Sequence, residues 1–304
     1  METLDFSLRQ LQYAVAVADT GGFRRAADLC HVSQPSLSAQ LAQLEKALGA
    51  QLFERDRRRV LLTAAGVDLV ARARVVLTAA CDLGSAAKRL SDPLAGTLRI
   101  GVIPTISPYL LPEISPAIRK RFPRLTIEWN EEKTRTILRD LADGRLDAVL
   151  LAQVPGMEEF DRELIGEDAF VLAGAASHPL LRTKRPAQPA DLHGEEIFLL
   201  EDGHCFREQA LSLCTRNRAT EAGFRATSLS TLARMAGSGA GVTLLPAISL
   251  AVENRRGELA TRPFAKPVPA RKLVLAWRRQ SPLSGALRDL AVVVRAEAEA
   301  SLRL

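Results

Sequence analysis

The chain lacks the features that would place it in a membrane or in an oxidising compartment. None of its apolar runs approaches the roughly 18 residues that a membrane-spanning helix needs. The first five residues are acidic and carry no apolar core, so they do not resemble a signal peptide. The sequence has only four cysteines, which in a reducing compartment do not form a disulfide framework by default. We therefore expect a cytoplasmic protein that does not associate with membranes.

The rest of the composition indicates a soluble protein of several domains. Hydrophobic residues make up 47% of the chain and charged residues 25%, which is an ordinary balance for a globular protein. A length of 304 residues without a long repeat predicts two or three domains rather than one core. The net charge of +6 suits a polyanionic partner, although many enzymes are equally basic.

The first 65 residues carry the pattern of a helix-turn-helix. Ser7 caps a first helix that ends near Gly21, and residues 23–29 form a short second helix. Ser33 caps a third helix, which ends at Gly49 because glycine readily adopts the left-handed conformation that terminates helices. Two short helices, a tight turn and a helix with a polar front predict a DNA-binding motif. The polar front consists of Ser33, Gln34, Ser36, Ser38 and Gln40.

These polar side chains can hydrogen-bond base edges or phosphates of double-stranded operator DNA from the major groove, or they can simply form a solvated helix face. A basic run follows, and residues 60–62 after it read as a short strand. The arginines of this run are Arg55, Arg57, Arg58 and Arg59. A basic loop closed by a β-ribbon predicts a wing along the phosphate backbone. The alternative is a solvated patch, but the position after a helix-turn-helix favours DNA contact.

A heptad pattern begins after Thr63, which can cap a long helix that runs to about Ser91. Its seam positions are Leu69, Ala73, Val76, Ala80, Leu83, Ala87 and Leu90. Three heptad repeats predict a coiled coil, and a self-pairing helix beside a DNA-binding head predicts a dimer that reads two half-sites. The alternative is a helix that packs on its own domain. Residues 92–93 and Gly96 mark the end of the helix.

From Leu98 onward the pattern is that of an α/β domain. The predicted strands are residues 98–103, 125–129, 147–151, 198–200, 241–246 and 272–277. The predicted helices are residues 108–121, 134–143, a segment from about Cys205, and residues 283–299. Strands that alternate with helices predict parallel sheets.

Two cysteines of this domain, Cys205 and Cys214, stand nine residues apart. Cys205 follows a turn, opens a predicted helix and is flanked by His204 and Arg207; a helix N-terminus and nearby cations lower a thiol's pKa and favour the reactive thiolate. If the segment is one helix, nine residues span about 13.5 Å along the axis, whereas a disulfide needs Cα atoms about 4.4–6.8 Å apart. A bond between them therefore requires the helix to unwind, which is the logic of a two-state switch.

Other interpretations of the cysteines stay open at this point. Cys205 and Cys214 could be buried residues without chemistry. They could also bind a metal with His204, but one histidine and two cysteines lack the usual paired spacing and a fourth ligand. No metal or cofactor is therefore expected. Cys30 and Cys81 are expected to be structural, with a dimer-linking bond through Cys81 as an alternative.

The N-terminal motifs resemble those of the LysR-type transcription regulators, and the resemblance extends over essentially the whole chain. It rests on residues 11–15, 23–27, 32–38, 44–45, 52–55 and 62–66. It implies a winged helix-turn-helix of residues 1–65, in which Arg24 and Pro35 join the DNA-binding residues named above. It also implies a linker helix of residues 66–92 and an α/β regulatory domain of residues 93–304.

The regulatory domain of this family is implied to have two subdomains, like a periplasmic binding protein. Subdomain I would comprise residues 97–164 and 269–304, and subdomain II residues 165–268, with crossover strands near residues 164 and 268. The effector cleft would lie between them. Because ligands of open sheets bind beyond the carboxyl ends of the strands, Thr105 and Thr134 are expected to face this cleft.

The cysteine segment resembles, more narrowly, the redox segment of those family members that sense hydrogen peroxide. The matching residues are 103–105, 108–112, 201–205, 207, 209, 214, 224–229, 239–246 and 281–283. By this resemblance Cys205 is the peroxidatic cysteine and Cys214 the resolving one. Thr105, Thr134, His204 and Arg207 would position peroxide or activate the thiolate. Arg271 matches a basic position in the late strand only loosely.

The resemblance further implies a transcription activator rather than an enzyme, and a homodimer that pairs into a dimer of dimers. RNA polymerase and a thiol reductant would be its partners. Disulfide formation would refold residues 205 to about 225 and change the spacing of the DNA-binding heads. One alternative is a LysR-type regulator that binds a small metabolite in the cleft and has inert cysteines. Another is a thiol peroxidase or a solute-binding protein, against which the helix-turn-helix and the heptad seam argue.

Overall fold

The computed structural model describes residues 5–55, 60–89 and 96–302. Its contacts divide the chain into two compact units, one of residues 1–90 with 142–145 and one of residues 91–141 with 146–304. Each unit has its own cluster of buried apolar side chains. No helix in the described part is both long enough and apolar enough to cross a membrane.

The first unit contains the predicted helices, joined to a short hairpin and a long helix. Its elements are α1 (Leu8–Thr20), α2 (Phe23–Leu29), α3 (Gln34–Leu48), β1 (Phe53–Arg55), β2 (Val60–Leu62) and α4 (Ala64–Arg89). The predicted capping box of Ser7 with Gln10 is confirmed. So is the cap of Ser33, whose hydroxyl accepts a hydrogen bond from the amide of Ser36 at 3.3 Å.

The core of this unit lies under α3. Leu37, Leu41 and Leu44 are fully buried, whereas Leu48 is half-buried, so the buried stripe is one turn shorter than predicted. The Glu45 carboxylate accepts hydrogen bonds from the amides of Leu52 at 2.8 Å and Phe53 at 3.3 Å. This contact fixes α3 to β1, the first strand of the hairpin.

The long helix α4 begins as predicted, because Thr63 Oγ1 accepts a hydrogen bond from the amide of Gly66 at 2.9 Å. Along the predicted seam, Ala73 is buried in the core of its own unit, whereas Val76 and Leu83 are 45% and 74% exposed. The start of the seam therefore packs within the unit, whereas Val76 and Leu83 present apolar side chains at the surface. The end predicted at residues 91–93 lies outside the described residues.

The second unit is an α/β domain. Its strands are β3 (Gly96–Val102), β4 (Leu125–Glu131), β5 (Ala148–Ala152), β6 (Phe160–Gly174), β7 (Glu196–Leu200), β8 (Thr220–Ala226), β9 (Val242–Pro246), β10 (Ala260–Pro263) and β11 (Ala270–Arg278). Its α-helices are α5 (Ser107–Arg121), α6 (Thr134–Ala142), α7 (Cys205–Arg216), α8 (Leu229–Gly237), α9 (Leu250–Glu253) and α10 (Ser284–Leu302). Short 3-10 helices cover Pro179–Leu181, Pro189–Leu192 and Ala247–Ser249.

The strands form one mixed sheet in the order β4-β3-β5-β11-β6-β9-β7-β8, and β10 pairs with β6. Two parallel groups stand at its ends: β4, β3 and β5 form one, and β9, β7 and β8 form the other. Antiparallel β11 and β6 join them, so parallel pairing alone was an incomplete prediction. The crossovers predicted near residues 164 and 268 fall within β6 and just before β11. The subdomain boundaries stay a prediction.

The interior of the domain contains two strands that are covered on both faces. All five residues of β5 and all five of β9 are buried, as expected for strands that are covered on both faces. The loop after β3 carries Thr105, and the loop after β7 leads into α7 at Cys205. The carboxyl ends of β3 and β7, one strand from each parallel group, are thus followed by two of the predicted site residues.

Candidate functional site

Cys205 is the first residue of α7 and is only 4% exposed. It follows β7 through a turn in which Gly203 takes a positive φ of 95°. Cys214 lies in the last turn of the same helix and is buried, and both thiols are free. The helix predicted from about Cys205 is therefore confirmed, and it holds both cysteines. At about 1.5 Å per residue the helix keeps them too far apart for a disulfide.

Arg271 is the charged centre of the buried surroundings of Cys205. Its guanidinium donates to Asp168 Oδ2 at 2.9 Å, to Thr105 Oγ1 at 2.7 Å and to the Thr105 carbonyl oxygen at 2.9 Å. It also lies 5.2 Å from the ring centroid of Phe206, the residue after Cys205. The side chains of Arg271 and Asp168 are fully buried. Arg271 thus connects Thr105, β6 and the first turn of α7.

The pKa of the Cys205 thiol is raised, and burial is the largest cause. Arg271 is the strongest influence in the opposite direction, followed by the Thr134 hydroxyl and the backbone of Ala152 and Phe206. The prediction of a lowered thiol pKa is therefore wrong for this conformation, because desolvation of the thiolate outweighs the groups that stabilise it. The thiol is held neutral beside groups that would stabilise its anion.

Thr134 is the first residue of α6, and its hydroxyl lies next to the Cys205 thiol. It is buried and makes no hydrogen bond of good geometry within the described residues. A buried hydroxyl without a partner is costly in an otherwise satisfied interior. Thr134 therefore keeps a free donor and acceptor for the sulfur of Cys205 or for a small polar ligand beside it.

His204 and Arg207 do not supply the cationic environment predicted for Cys205. Burial lowers the pKa of His204, and Lys133 lowers it further, so its imidazole is neutral at pH 7. Its Nε2 atom is buried without a partner among the described residues. Arg207 is neutralised by two carboxylates: it donates to both Glu221 oxygens at 2.8 and 2.9 Å and to Asp202 at 2.9 Å. It orders the segment around α7 rather than presenting a free charge.

The importance of Arg271 was underrated by sequence reasoning, although a signal was present. In β11 Arg271 and Leu273 are buried and Lys272 between them is exposed, so alternation places the arginine on an inward face. An inward arginine requires a carboxylate, and Asp168 stands directly opposite it in β6. That pairing partner could not be chosen before the register was known.

The other cysteines differ from Cys205 in their surroundings. Burial raises the pKa of Cys214 to about 11. Cys30 is half-buried at the end of α2, and Cys81 is exposed on α4. Within residues 5–55, 60–89 and 96–302 no cluster of side chains could hold a metal ion.

The described residues predicted to contact DNA belong to α2, the first half of α3 with its cap, and β1. Arg24 is exposed, and so are Ser33, Gln34, Pro35 and Ser36, whereas Ser38 and Gln40 are half-buried. Gln40 Oε1 accepts a hydrogen bond from Gln10 Nε2 at 3.1 Å, so part of its polar capacity is used within the unit. Arg55 ends β1. Arg57, Arg58 and Arg59 lie outside the described residues.

Comparison with known proteins gives matches to both units. Residues 8–67 match the bacterial regulatory helix-turn-helix protein of the lysR family, and residues 91–299 match the LysR substrate binding domain. The DNA-binding transcriptional dual regulator OxyR of Escherichia coli (strain K12) is 44% identical over 292 residues, which are 95% of each chain.

Solved structures give the same result. A cysteine-to-aspartate variant of full-length OxyR from Pseudomonas aeruginosa has a TM-score of 0.78 and 34% identity, covering 95% of each chain. A cysteine-to-serine variant of OxyR from Corynebacterium glutamicum, solved with hydrogen peroxide bound, has a TM-score of 0.67 and 31% identity. That match covers 97% of this chain and 94% of the other.

Proposed function

Because this chain belongs to the LysR family of bacterial transcription regulators, we propose that it is a DNA-binding activator switched on by hydrogen peroxide. The observation that carries the proposal is the placement of Cys205 on the same helix as a second thiol. Cys205 is a buried thiol beside Arg271 and the Thr134 hydroxyl, which makes no well-formed hydrogen bond among the described residues. Support also comes from the similar OxyR structure that contains hydrogen peroxide.

The chemistry takes two steps. The Cys205 thiolate attacks one oxygen of hydrogen peroxide, the O–O bond breaks, and hydroxide leaves and is protonated to water. Sulfur is oxidised to the sulfenic acid and peroxide is reduced. The Cys214 sulfur then attacks the sulfenic sulfur, forming the disulfide and releasing a second water. Thr134 and Thr105 would orient the peroxide, and Arg271 would stabilise the thiolate.

The second step couples chemistry to structure, since α7 cannot persist once the two sulfurs are bonded. Unwinding would move Phe206 off the Arg271 guanidinium and remove Cys205 from its pocket. His204 and Arg207 are proposed to act on the same segment, His204 as a neutral buried group and Arg207 as an anchor to Glu221. A thiol reductant returns the protein to its resting form.

The first unit would bind operator DNA through the exposed start of α3 and through Arg55, Arg57, Arg58 and Arg59. Val76 and Leu83 on α4 are proposed to pair with a second copy, giving a dimer and, through the regulatory domains, a dimer of dimers. Oxidation would alter the spacing of the heads and so the contact with RNA polymerase.

Thiol tagging before and after micromolar peroxide tests the redox part. Two thiols should be lost in the wild type. Cys214→Ser should stop at a trappable sulfenic acid, and Cys205→Ser should lose none. Cys30→Ser and Cys81→Ser are matched controls that should behave like wild type. Unchanged thiols in the wild type would instead favour a metabolite-responsive regulator.

An operator footprint with reduced and oxidised protein tests the DNA part. Protection should be present in both states and should shift on oxidation. Consumption of many equivalents of peroxide with a recycling reductant, without any shift of the footprint, would point to a thiol peroxidase and contradict the proposal.

A further inference from the structure

A cationic side chain outside the pocket spans the turn that leads to Cys205. Lys133 Nζ forms an ion pair with Glu201 Oε1 and lies 3.4 Å from the carbonyl oxygen of Asp202. Its aliphatic part covers Gly203, since a Cβ atom built on that glycine would lie 3.1 Å from Lys133 Cδ. The lysine therefore contacts the turn at three successive residues before His204.

The two ends of this contact belong to opposite halves of the sheet. The amide of Glu132 donates to Val102 O at 3.1 Å, which fixes the segment of Lys133 to β3. The amide of Glu201 donates to Ala226 O at 2.8 Å, which fixes the other end to β8. Thr134 follows Lys133, and Cys205 lies four residues after Glu201. The ion pair between Lys133 and Glu201 therefore holds the Thr134 hydroxyl and the Cys205 thiol in position relative to each other.

We propose that Lys133 is a positioning residue: its ion pair with Glu201 holds the 201–204 turn, and with it Cys205, in the reduced conformation. The inference rests on the proposed peroxide switch. When Cys205 leaves its pocket to reach Cys214, the turn must move with it and the ion pair must break. Lys133 thus stabilises the dithiol form relative to the disulfide form and lowers the ratio of disulfide to dithiol at equilibrium.

The test is a redox titration of the full chain in glutathione buffers, which measures the ratio of disulfide to dithiol. Lys133→Met should shift this ratio about two- to fivefold toward the disulfide, the effect of a partly exposed ion pair. Lys133→Arg should restore the wild-type ratio. Lys120→Met is the matched control, since Lys120 is an exposed lysine on α5, and its removal should leave the ratio unchanged.

Two further measurements separate positioning from general structural damage. Glu201→Gln should give the same shift as Lys133→Met, and the double variant should add nothing to either. High salt should reduce the difference between wild type and Lys133→Met, because salt screens exposed charges. Additive effects, or an equal ratio in Lys133→Met and wild type, would overturn the inference alone. Failure of the wild type to form any Cys205–Cys214 disulfide would overturn the proposed switch and the inference with it.

Discussion

At Cys205 two requirements of a buried nucleophile oppose each other. Burial keeps the thiol neutral by raising its pKa, while Arg271 and Thr134 are placed where an anion would benefit from them. Because the thiolate is the nucleophile, the thiol must lose its proton beside Arg271 and Thr134 before it reacts, and burial admits only a molecule small enough to enter. Selectivity for a small uncharged oxidant follows from this balance.

The Thr134 hydroxyl gives the first prediction at this scale. Thr134→Val should lower the rate of Cys205 oxidation by about ten- to a hundredfold, the range expected for loss of a hydrogen bond to a charged group. Stability should be unchanged or slightly higher, because the buried hydroxyl makes no well-formed hydrogen bond in the resting protein and its removal takes away a desolvation cost. Stopped-flow kinetics in the Cys214→Ser background measures the first step alone. A normal rate with reduced stability would contradict this role.

His204 gives a prediction about pH. Its pKa is lowered in the folded protein, so below about pH 6.5 the unfolded chain binds the proton more strongly. The contribution of His204 to stability is therefore present above that pH and is lost as pH falls, by at most about 1.4 kcal/mol per pH unit. Urea unfolding at pH 7.5 and 5.5 should show a smaller loss for His204→Gln than for wild type. The exposed His193, changed to Gln, serves as the control.

At the scale of the element, α7 and the disulfide are alternatives for the same twelve residues. Every contribution to helix stability in this segment therefore opposes the oxidised form. Arg207 with Glu221 and Asp202, and Phe206 with Arg271, are such contributions. The ratio of disulfide to dithiol at equilibrium should therefore fall as α7 becomes more stable.

Substitutions on the exposed face of α7 test this relation without touching the cysteines. Ser212 and Thr215 are exposed, and changing both to alanine should stabilise the helix by about 0.5–1 kcal/mol. The ratio of disulfide to dithiol should then fall roughly two- to fivefold. Changing both to glycine should move the ratio in the opposite direction. If the alanine pair and the glycine pair changed the ratio of disulfide to dithiol by the same amount in the same direction, oxidation would not require the helix to unwind.

At the scale of the whole molecule, the exposed apolar residues of α4 carry the expectation of self-association. Val76→Asp with Leu83→Asp should convert a dimer into a monomer in sedimentation experiments and weaken operator binding at least tenfold, since one head then reads one half-site. Val75→Asp is the matched control: Val75 is 62% exposed but lies outside the seam. Equal loss of association in this control would argue against the seam.

The sequence was informative where local chemistry decides the structure. The caps at Ser7, Ser33 and Thr63 and the start of α7 at Cys205 depend on residues within a few positions of each other, and all were predicted. The two long antiparallel strands and the pairing of Arg271 with Asp168 depend on contacts between distant segments. The burial that raises the pKa of Cys205 also comes from the whole fold, so its sign could not be obtained from the flanking His204 and Arg207.

The placement of both thiols on one helix also determines how long the protein would stay in its oxidised form after exposure to peroxide. Helices re-form within on the order of a microsecond, whereas disulfides are exchanged over seconds to hours. Refolding of α7 would therefore follow reduction almost at once. The duration of the response would be set by the supply of reductant in the cell, and the protein itself would add no delay.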